Sequence, residues 1–135
     1  MKKKICLVIA NYYPKISNDL IAGATLALKK NGLKSINKAY APGVFEIPII
    51  ISKLIKKYDA FVALGCVIKG KTPHFNFISR SSIDAIMNLS IVHNKPIGNG
   101  ILTCNNKKQA TERANPFKKN KGGEAANAII AILKI

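Results

Sequence analysis

Residues 63–79 read A-L-G-C-V-I-K-G-K-T-P-H-F-N-F-I-S, and this stretch decides the fold of the chain. An apolar run rich in β-branched residues, Phe61–Ile68, predicts a buried strand that ends abruptly before a loop. Ligands of open α/β sheets bind at the carboxyl ends of strands, so the loop is the expected position of a site. Gly70 allows close backbone approach, Thr72 offers an amide and a hydroxyl, and His74 can carry protons near neutral pH. On local composition alone, a Gly-Pro turn with an incidental histidine is an equally good alternative.

Strand and helix patterns alternate along the whole chain. The predicted strands are Lys4–Ala10, Ser35–Tyr40, Ala60–Ile68 and Pro96–Thr103, and the predicted helices are Asn18–Asn31, Val44–Tyr58, Phe77–His93, Lys107–Ala114 and Lys121–Leu133. This alternation implies right-handed βαβ units, so we expect a three-layer α/β/α sandwich with a four-stranded parallel sheet. No linker, repeat or low-complexity segment interrupts residues 1–135, which predicts a single domain.

The net positive charge of the chain raises the question of whether the protein binds nucleic acid. The 135 residues carry a formal net charge of +16, a value typical of nucleic-acid-binding proteins. Of the 22 basic residues only Arg80 and Arg113 are arginines, so the other 20 are lysines, scattered in short pairs. Base readout and stacking favour arginine with interleaved aromatic residues. We therefore expect no nucleic-acid partner, and we attribute the lysines to an A·T-rich genome.

The length of the apolar runs and the spacing of the cysteines indicate the cellular compartment of the protein. No run approaches the roughly 18 residues of a membrane span, and the apolar segment after the N-terminal lysines is too short for a signal peptide. Cys6, Cys66 and Cys104 are odd in number and lack C-x-x-C spacing, which predicts small buried hydrophobic residues in a reducing compartment. We expect a cytoplasmic protein with no membrane contact, no disulfide and no metal site.

Two of the predicted helices are apolar almost all round. Residues 44–55 contain one phenylalanine and several isoleucines, and residues 125–133 are small or aliphatic except Asn127. A helix in a small domain keeps one solvent face, so a helix that is apolar all round needs a second partner. This pattern favours contacts between subunits, with one unusually apolar monomer core as the alternative.

Four further segments stand in order around the opening stretch. They are P-G-V-F-E-I-P at 42–48, I-G-N-G-I-L-T at 97–103, Q-A-T-E-R-A at 109–114 and N-K-G-G-E-A-A at 120–126. With residues 63–79 they resemble the lumazine synthase family of riboflavin biosynthesis, from about Ile5 to the C-terminus. The resemblance implies a flavodoxin-like fold and a transferase that uses small-molecule substrates and no cofactor. It also implies a homo-oligomer, a pentamer or a larger shell, with sites shared between subunits.

The family reaction condenses 5-amino-6-(D-ribitylamino)uracil with 3,4-dihydroxy-2-butanone 4-phosphate to give 6,7-dimethyl-8-ribityllumazine, phosphate and water. By resemblance, His74 is the catalytic proton carrier, Tyr12 stacks on the pyrimidine ring, and Glu46 accepts hydrogen bonds from ribityl hydroxyls. Further pyrimidine or ribityl contacts are expected at Val44, Phe45, Val67, Ile68 and Asn99, and phosphate contacts at Gly70, Lys71, Thr72 and Arg113. Lys121 matches a basic residue of the family near the pocket. The chain departs from the family pattern at Asn11, Tyr13, Lys71 and Asn99.

Two other functions are consistent with an α/β sandwich. A flavodoxin-like binding protein would hold a flavin or a phosphate without turnover, but residues 11–14, N-Y-Y-P, lack the Ser, Thr and Gly of a phosphate loop. An inactive shell-forming relative would be expected to lose His74 or Arg113, and the chain has both. The enzyme is therefore the favoured interpretation.

Overall fold

The four strands of the described chain form one parallel sheet. A computed structural model describes residues 2–135. Its strands are β1 (Lys4–Ala10), β2 (Ser35–Ala41), β3 (Ala60–Ile68) and β4 (Ile97–Cys104). They lie in the order β2-β1-β3-β4, and every pairing is parallel. The strand order reverses between β1 and β3, and such a switch point is where open α/β sheets bind ligands.

Five α-helices cover the two faces of the sheet in the described residues. They are α1 (Pro14–Lys30), α2 (Ile47–Leu54), α3 (His74–His93), α4 (Lys107–Ala114) and α5 (Lys121–Leu133), and a short 3₁₀ turn (Val44–Glu46) precedes α2. One hydrophobic cluster joins the sheet to α1, α4 and α5, and a second joins it to α2 and α3. The predicted three-layer α/β/α sandwich of flavodoxin-like type is confirmed.

Side-chain alternation along the central strand explains the two layers. Ile5, Leu7 and Ile9 belong to the α1/α4/α5 cluster, whereas Cys6 and Val8 belong to the α2/α3 cluster. All five are fully buried, as expected for a parallel strand that is covered on both faces. Truncating one of the larger side chains to alanine would cost about 2–5 kcal/mol of unfolding free energy.

A glycine brings α5 close to the edge strand. A Cβ atom at Gly98 would overlap the carbonyl oxygen of Ala125 in α5 and contact Ile129 at 3.2 Å. A side chain there would therefore push the helix away from β4. This glycine therefore permits the close packing of α5 on β4.

Most predicted boundaries agree with the structure, and three helices differ. Helices α1 and α3 begin earlier than predicted, at Pro14 and His74. Proline is favourable in the first turn, where its missing N–H has no partner to lose. The single helix predicted over Val44–Tyr58 is wrong. It starts as a 3₁₀ turn and ends at Leu54, because the N–H of Asp59 already bonds to β1 and draws the chain into β3.

The predicted burial of the cysteines is confirmed. All three cysteines are buried and free, and burial raises the pKa of the Cys6 thiol to about 11. Such a thiol remains neutral at physiological pH and packs as a small apolar group. No helix within residues 2–135 is long and apolar enough to cross a membrane.

Candidate active site

A cavity of about 510 Å³ opens at the carboxyl ends of β1, β2 and β3. It lies at the switch point of the sheet, and its volume suits a small organic ligand. Seven of the predicted site residues line it: Tyr12, Val44, Phe45, Glu46, Val67, Ile68 and His74. Segments far apart in the sequence therefore meet in one pocket.

The first wall of the cavity is aromatic and follows β1. Tyr12 has 71% of its surface exposed, so one face of its ring is open to a ligand. The ring of Tyr13 meets it edge to face, with centroids 4.9 Å apart and planes at 80°. Tyr13 is half-buried and packs on the core, and burial, then the nearby Cys66 thiol, raises the pKa of its phenol. The pair forms an aromatic wall at the cavity mouth.

The second wall is the 3₁₀ turn after β2. The amide of Glu46 donates to the Gly43 carbonyl at 3.2 Å, and the buried Ser82 hydroxyl donates to the Val44 carbonyl at 3.4 Å. These bonds hold the turn against α3. Among residues 2–135 no cation lies within ion-pairing distance of the half-buried Glu46 carboxylate. Both carboxylate oxygens are therefore available to the hydroxyl groups of a ligand.

The floor of the cavity is the end of β3. Strand β1 pairs with β3 as far as Leu64, whereas β4 pairs with β3 as far as Ile68. Beyond Leu64 the β1-facing edge of β3 is therefore unpaired, and Val67 and Ile68 line the cavity there. Backbone N–H and C=O groups along such an edge seek hydrogen-bond partners, and the polar edge of a planar heterocycle supplies them.

The third wall begins with the histidine. His74 is the first residue of α3, and its amide lies 3.4 Å from the Thr72 hydroxyl, which accepts the bond. The imidazole is exposed at the cavity, beside the positive end of the helix dipole. Gly70 and Lys71 precede it in the same exposed loop. The loop residues stand next to the cavity in sequence but are not part of its lining.

Besides the loop residues Gly70, Lys71 and Thr72, three predicted site residues lie outside this cavity. Arg113, exposed on α4, places Nη1 3.4 Å from the Thr103 carbonyl and 3.6 Å from the Cys104 sulfur. Asn99 lies exposed in the middle of β4, where its Oδ1 accepts from the Ile101 amide at 3.0 Å. None of these side chains lines the cavity of its own chain.

The third residue is Lys121, at the start of α5. Its ammonium lies 2.8 Å from the Glu124 carboxylate in an ion pair on the surface. This positive charge has a partner in its own helix, and the Lys121 side chain does not line the cavity.

The cavity also contains residues to which the sequence assigned no role. They are Tyr13, Pro42, Gly43, Cys66 and Ile78. Burial, then the nearby Cys104, raises the pKa of the Cys66 thiol to about 12, so the floor of the cavity carries a neutral thiol. The position of Cys66 directly before Val67 at a strand end was the available signal for including it.

Comparisons with known proteins give one consistent result. Residues 2–135 match the family model described as 6,7-dimethyl-8-ribityllumazine synthase. The chain is 43% identical to the 6,7-dimethyl-8-ribityllumazine synthase of Bartonella tribocorum, covering 100% of this chain and 92% of the relative. It is 42% identical to that of Buchnera aphidicola (99% and 87% covered) and 41% identical to 6,7-dimethyl-8-ribityllumazine synthase 1 of Rhodopseudomonas palustris (98% and 85%).

Proposed function

The chain belongs to the 6,7-dimethyl-8-ribityllumazine synthase family, and from that membership we propose how its residues carry out the family's reaction. It is a transferase that condenses 5-amino-6-(D-ribitylamino)uracil with 3,4-dihydroxy-2-butanone 4-phosphate. The amine attacks the ketone and a water leaves to form an imine, phosphate leaves by elimination, and ring closure with loss of a second water gives 6,7-dimethyl-8-ribityllumazine. The observation that carries the residue assignments is the single cavity lined by seven of the predicted residues.

The pyrimidine binds between the aromatic wall and the floor. Its ring stacks on the open face of Tyr12, and its polar edge bonds to the backbone at Val67 and Ile68, where β3 has no β1 partner. Val44 and Phe45 close the opposite side. Base–aromatic stacking contributes roughly 1–3 kcal/mol, so Tyr12 supplies a large share of the pyrimidine affinity.

The ribityl chain extends towards the 3₁₀ turn. Glu46 accepts hydrogen bonds from its hydroxyl groups, since this carboxylate has no ion-pair partner among residues 2–135. A hydrogen bond to a charged group contributes about 1.5–3 kcal/mol. Asn99 provides a further polar contact from outside the cavity.

The phosphate binds at the loop before α3. The amides of Gly70 and Lys71, the Thr72 hydroxyl and the Lys71 ammonium surround an anion near the positive end of α3. Arg113 adds a bidentate contact, because guanidinium geometry matches two phosphate oxygens. Lys121 is a possible further contact and the weakest of these assignments, because Glu124 pairs with it on the surface.

His74 moves the protons. Imine formation, phosphate departure and cyclisation each require a proton to be taken up or released near the reacting atoms, and histidine does both near neutral pH. His74 lines the cavity beside the phosphate loop, so one side chain reaches both the amine and the departing phosphate. Much of the remaining acceleration comes from holding two reactants together.

Two neighbouring subunits complete each site. In one chain neither Arg113 nor Asn99 lines the cavity, and we assign their phosphate and ribityl contacts to the site of a neighbouring subunit. A groove of about 300 Å³ next to the cavity, between α2 and α3, is lined by Phe45, Glu46 and Ile49, among others. It offers a docking surface for that neighbour.

Exposed apolar side chains on the same layer support a homo-oligomer. Phe45 and Ile49 are 61% and 56% exposed, and α3 adds four more: Phe77, Met87, Ile91 and Val92. Such a surface in water favours aggregation unless another chain covers it. We propose a pentamer as the smallest assembly. Helix α3 supplies much of this surface, in addition to the 44–55 segment expected from the sequence. The exposed residues of α5 are Glu124, Asn127, Ala128, Ala131 and Ile132, of which only Ile132 is a large apolar residue.

The remaining assignments concern the chain as a whole. We place residues 1–135 in a single domain, since both hydrophobic clusters share one sheet. Three free, buried cysteines fit a reducing compartment, which supports a cytoplasmic location. Neither nucleic acid nor membrane is required by the site.

The proposed function is tested by mixing the purified protein with both substrates and following lumazine fluorescence. We expect the product to form well above the uncatalysed background, and less product with His74→Ala than with His93→Ala, the other histidine of the chain, exposed at the end of α3. Product formation at the background rate would refute the enzyme assignment. Equal rates for the two variants would refute the role of His74 alone.

A further inference from the structure

The proposed stacking residue, Tyr12, is held by few contacts. Its side chain is 71% exposed, and it precedes helix α1 in the turn after β1. An exposed tyrosine samples several rotamers, which lowers its affinity for a stacked ring because binding must select one of them. The edge-to-face contact with Tyr13, at 4.9 Å between centroids, restricts this freedom.

Tyr13 is anchored where Tyr12 is not. Its ring packs on the buried cluster beneath α1. Its carbonyl accepts from the amide of Ser17 at 2.9 Å, and the buried Ser17 hydroxyl donates to the Ala10 carbonyl at 3.3 Å. The backbone around Tyr13 is thus tied both to the first turn of α1 and to the end of β1.

The contact depends on an aromatic ring at position 13. Tyr13 is one of the residues at which the chain departs from the family pattern, and an amide side chain there would offer no ring edge. Edge-to-face packing is directional, because the positive edge of one ring meets the negative face or flank of the other. A ring at position 13 therefore sets the tilt of its neighbour in a way that an amide does not.

We propose that Tyr13 is a positioning residue that orients the ring of Tyr12 for stacking on the pyrimidine. The inference rests on the proposed function, specifically on the stacking role of Tyr12. It makes Tyr13 an indirect determinant of pyrimidine affinity with no role in phosphate binding or proton transfer.

A double-mutant cycle tests the inference in the assembled enzyme. Tyr13→Leu should raise the KM for the pyrimidine substrate about 2- to 12-fold and leave the KM for the butanone phosphate within about twofold. In a Tyr12→Leu background, Tyr13→Leu should raise the KM for the pyrimidine substrate by less than about twofold, since the ring that Tyr13 orients is gone. Tyr13→Phe restores the ring and should return the pyrimidine KM close to that of the parent.

Controls separate positioning from folding. Tyr40→Leu removes another exposed tyrosine that does not line the cavity, and it should change neither KM. Circular dichroism and elution volume check each variant, and Tyr13→Asn replaces Tyr13→Leu in the cycle if the leucine variant does not fold.

Three results would overturn the inference. They are equal Tyr13→Leu effects in both backgrounds, a Tyr13→Phe defect as large as that of Tyr13→Leu, and parallel losses for both substrates. A parent protein that makes no lumazine would instead refute the proposed function, which the cycle presupposes.

Discussion

The predicted site residues lie in two regions of the fold, and only one of these regions lines the cavity. The cavity region, at the ends of β1 to β3, brings Tyr12, Glu46 and His74 into one pocket. The β4–α4 region, with Asn99 and Arg113, stays outside that pocket. A switch point concentrates side chains from neighbouring strands, whereas an edge strand faces outward. If, as we propose, a neighbouring subunit completes each site, one chain supplies the pocket and the next chain supplies the β4–α4 residues.

Breaking the assembly should have the largest effect. Ile49 is 56% exposed beside the cavity, whereas Ile50 packs partly on the core, so Ile49→Asp tests contact between subunits without a buried charge. We expect smaller particles by light scattering and an activity lower by roughly 10³-fold or more, because proximity of the two reactants is lost. Leu26→Asp, at an exposed leucine of α1, is the matched control. Smaller particles with full turnover would contradict the shared site.

Within the cavity region, His74→Ala should lower kcat by about 10- to 10³-fold, the range typical of general acid–base catalysis. Substrate positioning survives, so both KM values should change little. Steady-state kinetics against His93→Ala measures the effect, because His93 is exposed at the far end of α3. An unchanged kcat in the folded variant would show that His74 has only a structural role.

Within the β4–α4 region, Arg113→Ala should raise the KM for the butanone phosphate about 10- to 150-fold, which corresponds to about 1.5–3 kcal/mol for a charge-assisted contact. Binding of the pyrimidine alone should stay unchanged. Arg80→Ala removes the other arginine of the chain, exposed on α3, and serves as the control. Equal losses for both substrates would indicate damage to the fold or the assembly.

The smallest effect is expected at Lys121. Lys121→Ala should change either KM by less than about threefold and the free energy of unfolding by less than about 1 kcal/mol, because an exposed ion pair contributes little. Chemical denaturation and kinetics measure both quantities. A tenfold rise in the KM for the butanone phosphate would instead show that Lys121 binds this substrate together with the β4–α4 region.

Much of the fold was predictable because its strands are strongly patterned. Residues 60–68 form β3 as predicted from their β-branched run, and the bounds of β1, α4 and α5 also agree. Helical periodicity could not show that the 44–58 segment stops at Leu54, since the bond from Asp59 to β1 that ends it is a long-range contact. Tertiary pairing overrides local pattern in such cases.

The position of the cavity was predictable from motifs at strand ends, but the full set of residues that line it was not. Tyr13 and Cys66 line it because of where β1 stops pairing with β3, a register that no local pattern encodes. The absence of Arg113 from the cavity lining was equally unpredictable, because a motif specifies the residues of a site and not which of them line one cavity.

Mixing two damaged variants tests the shared site most directly. His74→Ala retains an intact β4–α4 region, and Arg113→Ala retains an intact cavity region. Subunits of the two variants are dissociated, combined in equal amounts and reassembled, and lumazine formation is measured at low butanone phosphate concentration. If each site joins the cavity of one subunit to Arg113 of the next, about a quarter of the sites contain two intact halves and activity recovers accordingly. Activity equal to the mean of the separate variants would contradict a site built from two chains.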